Sequence, residues 1–150
     1  MTAVSFYHLE RQGPDATLPR LLLKARERGW RALVKVANAD RLAALDLALW
    51  TFADDSFLPH GRAGDPHAED QPVLLTEEDA NANGAAALFV IDGATVPAEI
   101  GGFERVAILL DGTDEAALAE GRRVFKVLRQ AGHALDYWRQ NETGAWYKAA

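Results

Sequence analysis

The sequence predicts an α/β fold in which a mostly parallel central sheet carries helices on both faces. Strand-like and helix-like segments alternate in the first part of the chain, as crossover connections between parallel strands require. Further along, the runs ALFVI (87–91) and RVAILL (105–110) are short and apolar, as strands buried on both faces are. With 150 residues, 49% of them hydrophobic, we expect one domain spanning 1–150 with its own core.

The N-terminal third is predicted to form strand, helix, strand, helix. The first strand is AVSFYHL (3–9), followed by Gly13-Pro14 as a stop signal. A helix over 18–28, entered near Asp15 or Thr17, ends at Gly29, and the run ALVKVA (32–37) forms the second strand. Asn38 or Asp40 caps the next helix. That helix carries four apolar residues at helical spacing, which are Leu42, Leu45, Leu49 and Phe52.

The remaining elements surround a region with weak signals. Residues 53–71 are rich in glycine, proline and acids, which predicts a long loop, with a minimal strand over 73–75 after it. After the strands at 87–91 and 105–110, Thr113 or Asp114 caps a helix over 115–130 that ends at Gly132. The last segments, 133–139 and 146–148, flank Asn-Glu-Thr-Gly and predict a final hairpin.

Charge is distributed unevenly along the chain. The formal net charge is −6, but residues 54–79 alone sum to −7, so the remainder is +1. An acidic protein is poorly suited to coating nucleic acid. Four cations form the densest basic cluster, which are Arg122, Arg123, Lys126 and Arg129. This polarity favours a protein that binds an acidic partner locally.

Several functional classes find no support in the residues. The chain has no cysteine, which excludes disulfides and thiolate chemistry. No signal peptide or membrane-spanning run is present, so a cytoplasmic protein without membrane contact is expected. No phosphate-binding loop and no serine nucleophile motif occurs, so we predict no catalytic residue and no cofactor. A small nucleotide-binding or enzymatic α/β protein with a degenerate site is the alternative.

The central loop contains two histidines that could serve as metal ligands. His60 and His67 lie there among acids, but their spacing matches no rigid ligand geometry, which favours solvated side chains and no metal.

The helix over 115–130 combines an apolar face with a basic one. On a helical wheel, a narrow buried stripe contains Ala117, Gly121, Val124, Leu128 and Ala131. Phe125 lies on the flank of this stripe, and Arg129, Arg122 and Lys126 lie beyond it. Either Phe125 completes the core while the cations stay solvated, or these residues form a pocket for an acidic peptide with an aromatic end.

The stretch LWTFADDSFLPHG (49–61) is unusually aromatic for a loop. The wheel puts Trp50 at or beyond the edge of the buried face, next to Ala43 and Leu47. Trp50 and Phe57 form either an interface hot spot or a local cluster closed by the loop folding back. The residues alone leave both open.

Three segments in order resemble one known family. They are SFYHL at the start, ALWTFADDSFLPHG in the centre, and GRRVFKVLRQAGHAL followed by a tryptophan-containing end. Together they resemble the chi subunit of the bacterial DNA polymerase III holoenzyme, a clamp-loader accessory protein. The resemblance covers nearly the whole chain, and its most specific part is LW followed by SF-x-PH.

Membership in this family implies a Rossmann-like sheet without a nucleotide site and a non-enzymatic linking role in DNA replication. The family's site for the acidic, phenylalanine-terminated tail of single-stranded-DNA-binding protein falls on Arg122, Phe125, Lys126 and Arg129. Its surface for the psi subunit, or for a DinG-like helicase, falls on Trp50, Phe57 and Pro59. The resemblance thus implies a monomer or a 1:1 heterodimer that contacts DNA only indirectly.

Two positions depart from the family pattern. Phe125 stands where better-known members have tyrosine, so a hydroxyl is lost, and Leu118 stands where a lysine is expected.

Overall fold

A computed structural model describes residues 2–10, 12–52 and 58–150. The strands are β1 (Ala3–Leu9), β2 (Ala32–Lys35), β3 (Gly61–Arg62), β4 (Val73–Thr76), β5 (Ala87–Val90), β6 (Arg105–Asp111), β7 (Ala134–Gln140) and β8 (Trp146–Lys148). The helices are α1 (Pro14–Glu27), α2 (Ala39–Thr51) and α3 (Glu115–Gln130), with a 3-10 turn over Ala68–Asp70.

All eight strands join one sheet in the order β3-β4-β2-β5-β6-β1-β7-β8. Every pairing is parallel except that of β7 with β8, which is the predicted C-terminal hairpin. The chain leaves β1 through α1 toward β2, whereas it leaves the neighbouring β6 through α3 toward β7. The order of the sheet therefore reverses between β1 and β6, which is the switch point of a doubly wound fold.

Two separate apolar cores confirm the predicted layers. Helices α1 and α2 pack on one face of the sheet through residues such as Leu22 and Leu45. Helix α3 packs on the other face, where Leu128, Phe6 and Ile108 belong to one apolar cluster. Successive strand residues alternate between the two cores, as the two-residue period of a strand requires. The α/β fold with helices on both faces is thus confirmed.

Local capping explains where the helices begin and end. The side chain of Asn38 accepts a hydrogen bond of 2.9 Å from the backbone N–H of Arg41 at the start of α2. Asp114 caps α3 by accepting from the N–H groups of Ala116 and Ala117. After α1 and α3, Gly29 and Gly132 take up positive φ angles of 76° and 92°, as the predicted C-terminal caps should.

One predicted boundary is wrong, and the loop predicted to have little regular structure contains two short elements. Helix α1 begins at Pro14, four residues before the predicted start, because proline fits the first helical position, where its missing N–H is not needed. Part of the predicted central loop is ordered: β3 pairs with β4 through Gly61 and Arg62, and a 3-10 turn follows. A two-residue strand has too little sequence pattern to be predicted.

The buried Lys35 connects two loops at the carboxyl ends of the strands. The Lys35 ammonium is 2.5 Å from Asp79 Oδ1, and it donates to the backbone carbonyl of Thr95 at 2.7 Å. The charge is therefore paired and hydrogen-bonded although Lys35 itself is buried. These contacts fix the loop between β5 and β6, which borders a large crevice described below.

Candidate protein-binding surfaces

Helix α3 carries three exposed cations on one flank. Arg122, Lys126 and Arg129 lie there, and we call them the basic ridge. Within the described part of the chain, no carboxylate forms an ion pair with any of the three. By contrast, Arg123 on the other flank is tied to Glu120 by contacts of 2.9 and 2.5 Å. The positive charge of the ridge is therefore available to a ligand.

Phe125 borders the basic ridge with a fixed apolar surface. Its ring centroid is 5.2 Å from that of Phe6 and 6.4 Å from that of Tyr137, and the side chain is half-buried. Phe125 therefore contributes to the core, as one of the two interpretations of the sequence predicts. Part of its side chain remains accessible. The wheel is wrong for Ala131, which is exposed as the C-terminal cap of α3.

A cluster of polar side chains underlies this region, and sequence reasoning missed it. Tyr137 Oη lies 2.8 Å from His8 Nδ1, His8 Nε2 lies 3.1 Å from Glu10, and Glu10 pairs with Arg139. The parallel pairing of β1 and β7 brings these residues together. The sequence shows only four polar residues far apart, so it does not predict this cluster. Burial raises the pKa of Tyr137, whose ring supports Phe125.

The pKa of His8 is lowered, first by burial and then by Arg139, with Glu10 acting in the opposite direction. A histidine with a lowered pKa binds a proton in the unfolded chain before it does so in the folded protein. The stability it supports is present above the unfolded pKa, about 6.5, and is lost as pH falls below it. We therefore expect the free energy of unfolding to fall more steeply between about pH 7 and 5 in the wild type than in His8→Gln. Urea denaturation at several pH values measures this, and equal slopes would contradict the assignment.

A second exposed apolar surface lies on α2, on the opposite face of the sheet. Trp50 is 54% exposed and Leu47 is 65% exposed, and they are three residues apart on the helix. Pro59 is partly buried in the adjacent segment. We call Leu47, Trp50 and Pro59 the Trp50 surface. The wheel prediction for Trp50 is confirmed, whereas Phe57 lies outside the described residues.

His60 departs from the prediction that it is a solvated loop residue. Its side chain is fully buried, with Nε2 2.9 Å from Asp46 Oδ1 and its ring centroid 4.7 Å from that of Trp50. Arg62 donates to the other oxygen of Asp46 at 2.9 and 3.1 Å. Asp46 and Trp50 are four residues apart on α2, so they share a face. That spacing is the sequence signal that could have pointed to this cluster.

His67, Glu69 and Asp70, by contrast, are exposed, and their ligand atoms lie within 4.8 Å of one another. Such exposed acidic groups are common without a metal ion, and nothing further distinguishes this group.

A crevice of about 840 Å³ lies at the carboxyl ends of β1, β5 and β6 beside α3. Doubly wound folds bind ligands at this switch point. The described lining carries five acids and one cation, which are Glu10, Asp92, Asp111, Asp114, Glu120 and Arg123. This charge is unfavourable for a phosphate group, and the loop after β1 has no glycine-rich cradle.

Comparison with known proteins identifies the family. The family model described as "DNA polymerase III chi subunit, HolC" matches residues 1–136. The chain belongs to the DNA polymerase III chi subunit family. Over 160 aligned residues it is 27% identical to the probable DNA polymerase III subunit chi of Rickettsia prowazekii, covering all of this chain and 93% of that protein. It is 28% identical over 140 residues to the DNA polymerase III subunit chi of Pseudomonas aeruginosa, covering 91% of this chain and 95% of that protein.

The chi family membership confirms the resemblance on which the two surfaces were assigned. The match includes the segments carrying both surfaces and ends within β7. The basic ridge and the Trp50 surface lie on helices covering opposite faces of the sheet. None of the helices in the described part of the chain has both the length and the apolar character needed to cross a bilayer.

Proposed function

We propose that this chi family protein is a non-catalytic accessory subunit of DNA polymerase III. It connects the clamp loader to single-stranded-DNA-binding protein during DNA replication and contacts DNA only indirectly. Two binding surfaces on opposite faces of one sheet suit a connector, because two partners could occupy them without colliding. This role places the protein in the cytoplasm.

The basic ridge is the proposed site for the acidic C-terminal tail of single-stranded-DNA-binding protein. The observation that carries this assignment is the set of three exposed cations, free of ion pairs among the described residues, beside the half-buried ring of Phe125. Arginine and lysine provide charge-assisted hydrogen bonds to carboxylates, and Phe125 offers apolar area to the terminal phenylalanine of the tail. The Phe125 ring lacks the hydroxyl of tyrosine, so the cations provide the polar contacts.

Replacing Arg122 by alanine is expected to weaken binding of the tail peptide about tenfold. The loss of one charge-assisted contact at an accessible site corresponds to roughly 1.4 kcal/mol. Isothermal titration calorimetry with a synthetic tail peptide measures the change. Affinity for the wild type should also decline as salt is added, because counterions screen exposed charges.

Arg123→Ala is the matched control for this experiment. It removes the same charge from the adjacent residue, but Arg123 faces the other flank of α3 and is held by Glu120. We expect its tail affinity to stay within about twofold of the wild type. Equal losses for the two variants would indicate a general charge effect and would contradict the assigned site.

The Trp50 surface is the proposed site for the psi subunit of the clamp loader, and the family resemblance assigns Phe57 to the same site. A DinG-like helicase is the other candidate for the same surface. An exposed tryptophan beside further apolar side chains has the composition of an interface hot spot. Such a protein is a monomer alone and forms a 1:1 heterodimer with either partner.

A further inference from the structure

The crevice beside α3 has an apolar interior between two defined walls. One wall is α3, which contributes Val124 and the 50% exposed Val127, and the other is the loop between β5 and β6. Lys35 fixes that loop by donating to the carbonyl and to the hydroxyl of Thr95, at 2.7 and 3.0 Å. Ligand sites are mostly apolar and largely formed before binding, and a volume of about 840 Å³ lies in their range. The crevice therefore suits a ligand with at least one large apolar group.

Two carboxylates between β6 and α3 give this crevice negative charge. Asp111 accepts from the N–H and the hydroxyl of Thr113, and Asp114 caps α3, in both cases through Oδ1. Within the described part of the chain, neither residue forms an ion pair and neither Oδ2 atom has a hydrogen bond. Both side chains are therefore held in place while one oxygen of each can still accept from a ligand.

Further acids extend the negative charge along the edge of the sheet. Glu10 and Asp92 follow β1 and β5, so with Asp111 at the end of β6 they mark the carboxyl ends of three neighbouring strands. Arg139 and Arg41 pair with Glu10 and Asp92 and offset part of this charge. Neighbouring strands lie about 4.8 Å apart, so the row is roughly 10 Å long, the length of about three residues of extended chain. A row of this length favours a peptide with several cations over a single ammonium group.

Helix α3 separates the crevice from the basic ridge. Arg123 and Val127 lie on the flank that lines the crevice, whereas the cations of the ridge lie on the other flank. A cleft lined by one sign of charge attracts ligands of the opposite sign and disfavours those of the same sign. The acidic tail proposed for the ridge is therefore unsuited to the crevice, which requires a partner of the opposite charge.

We propose that the crevice is a third protein-binding site, which takes a segment with a large apolar side chain flanked by lysine or arginine. The apolar side chain enters between α3 and the loop after β5. The neighbouring cations bind the Oδ2 atoms of Asp111 and Asp114 through charge-assisted hydrogen bonds. This inference is independent of the functions proposed for the basic ridge and the Trp50 surface, because it requires neither of their partners.

Amide resonances of the isotope-labelled protein locate the site. The probes are short peptides with blocked ends that carry leucine, phenylalanine or tryptophan between arginines and lysines. We expect them to shift the resonances of Val127 and of residues 92–98 at concentrations below about 1 mM. The resonances of Trp50, on the opposite face of the sheet, should stay in place. If no peptide of the set shifted the crevice resonances, the inference would be overturned.

The Asp111→Asn, Asp114→Asn double variant tests the charges. Asparagine keeps an oxygen that accepts from Thr113 and caps a helix as well as aspartate does, so both charges are removed without loss of the fold. We expect the affinity of the best peptide, measured by isothermal titration calorimetry, to fall about tenfold or more.

The matched control is Glu27→Gln combined with Glu104→Gln. Both residues are exposed, and they lie after α1 and before β6, at the amino ends of the strands and far from the crevice. The affinity of this control should stay within about twofold of the wild type. Equal losses for the two double variants would indicate a general charge effect and would overturn the assigned site.

Two further probes test the kind of ligand. Spermidine carries cations without an apolar side chain, and we expect it to bind at least about tenfold more weakly than the best peptide. Val127→Ser should weaken the peptide about threefold and leave spermidine unaffected, because only the peptide uses the apolar wall. Spermidine binding as tight as that of the peptide would mean a simple cation site and would overturn the inference. An acidic tail peptide that shifted residues 92–98 would overturn it as well, since the crevice would then belong to the ligand of the ridge.

Discussion

Replacing Trp50 and Phe57 together by alanine is expected to weaken psi binding at least a hundredfold. Tryptophan is enriched among interface residues that cost 2 kcal/mol or more on truncation, and two such losses exceed the roughly 2.7 kcal/mol of a hundredfold change. Trp50 is 54% exposed, so its removal takes little from the core. Surface plasmon resonance with immobilised psi measures the effect.

The two surfaces are expected to bind their partners independently of each other. The Trp50→Ala, Phe57→Ala double variant should bind the tail of single-stranded-DNA-binding protein with unchanged affinity, because the basic ridge lies on the opposite face of the sheet. Tyr147→Ala removes another exposed aromatic ring, 45% exposed on β8, and should leave psi binding intact. If the double variant lost both partners, the rings would be holding the fold.

The Trp50 surface lies on α2, and the sequence predicts which face of this helix is buried. The repeat of Leu42, Leu45 and Leu49 fixes which face is buried, so the position of Trp50 beside that face follows from 100° per residue. The same reasoning placed Arg122 and Phe125 on α3. Helices carry this information locally, because residues three and four apart share a face whatever surrounds them.

The contacts of His60 could not be predicted in the same way. They join His60 to a residue 14 positions earlier, and they depend on the chain turning back along α2 to enter β3. The residue types are the ordinary content of an acidic loop, so composition favours solvent exposure there. Tyr137 and His8, 129 residues apart, meet for a similar reason, because the sheet order that pairs β1 with β7 is a property of the whole fold.

Gly112→Ala is expected to destabilise the folded protein strongly. Gly112 follows β6 at the switch point, where its N–H donates to the carbonyl of Leu9 at 2.7 Å. A Cβ at this position would lie 2.7 Å from that carbonyl oxygen and 2.5 Å from His8 Nε2. Because one of these neighbours is backbone, relief requires a shift of β1 against β6. We expect a loss of about 3 kcal/mol, at the upper end of overpacking costs.

Gly102→Ala is the matched control, since a Cβ there would meet nothing within 4 Å. Its stability should be unchanged or slightly raised, because alanine reduces the conformational freedom of the unfolded chain. Thermal unfolding followed by circular dichroism should show a melting temperature lowered by roughly 10 °C for Gly112→Ala but not for Gly102→Ala. A melting temperature for Gly112→Ala within about 2 °C of the control would mean that the junction between β1 and β6 can relax. The close approach of Gly112 to His8 and to the Leu9 carbonyl would then not be a rigid feature of the fold.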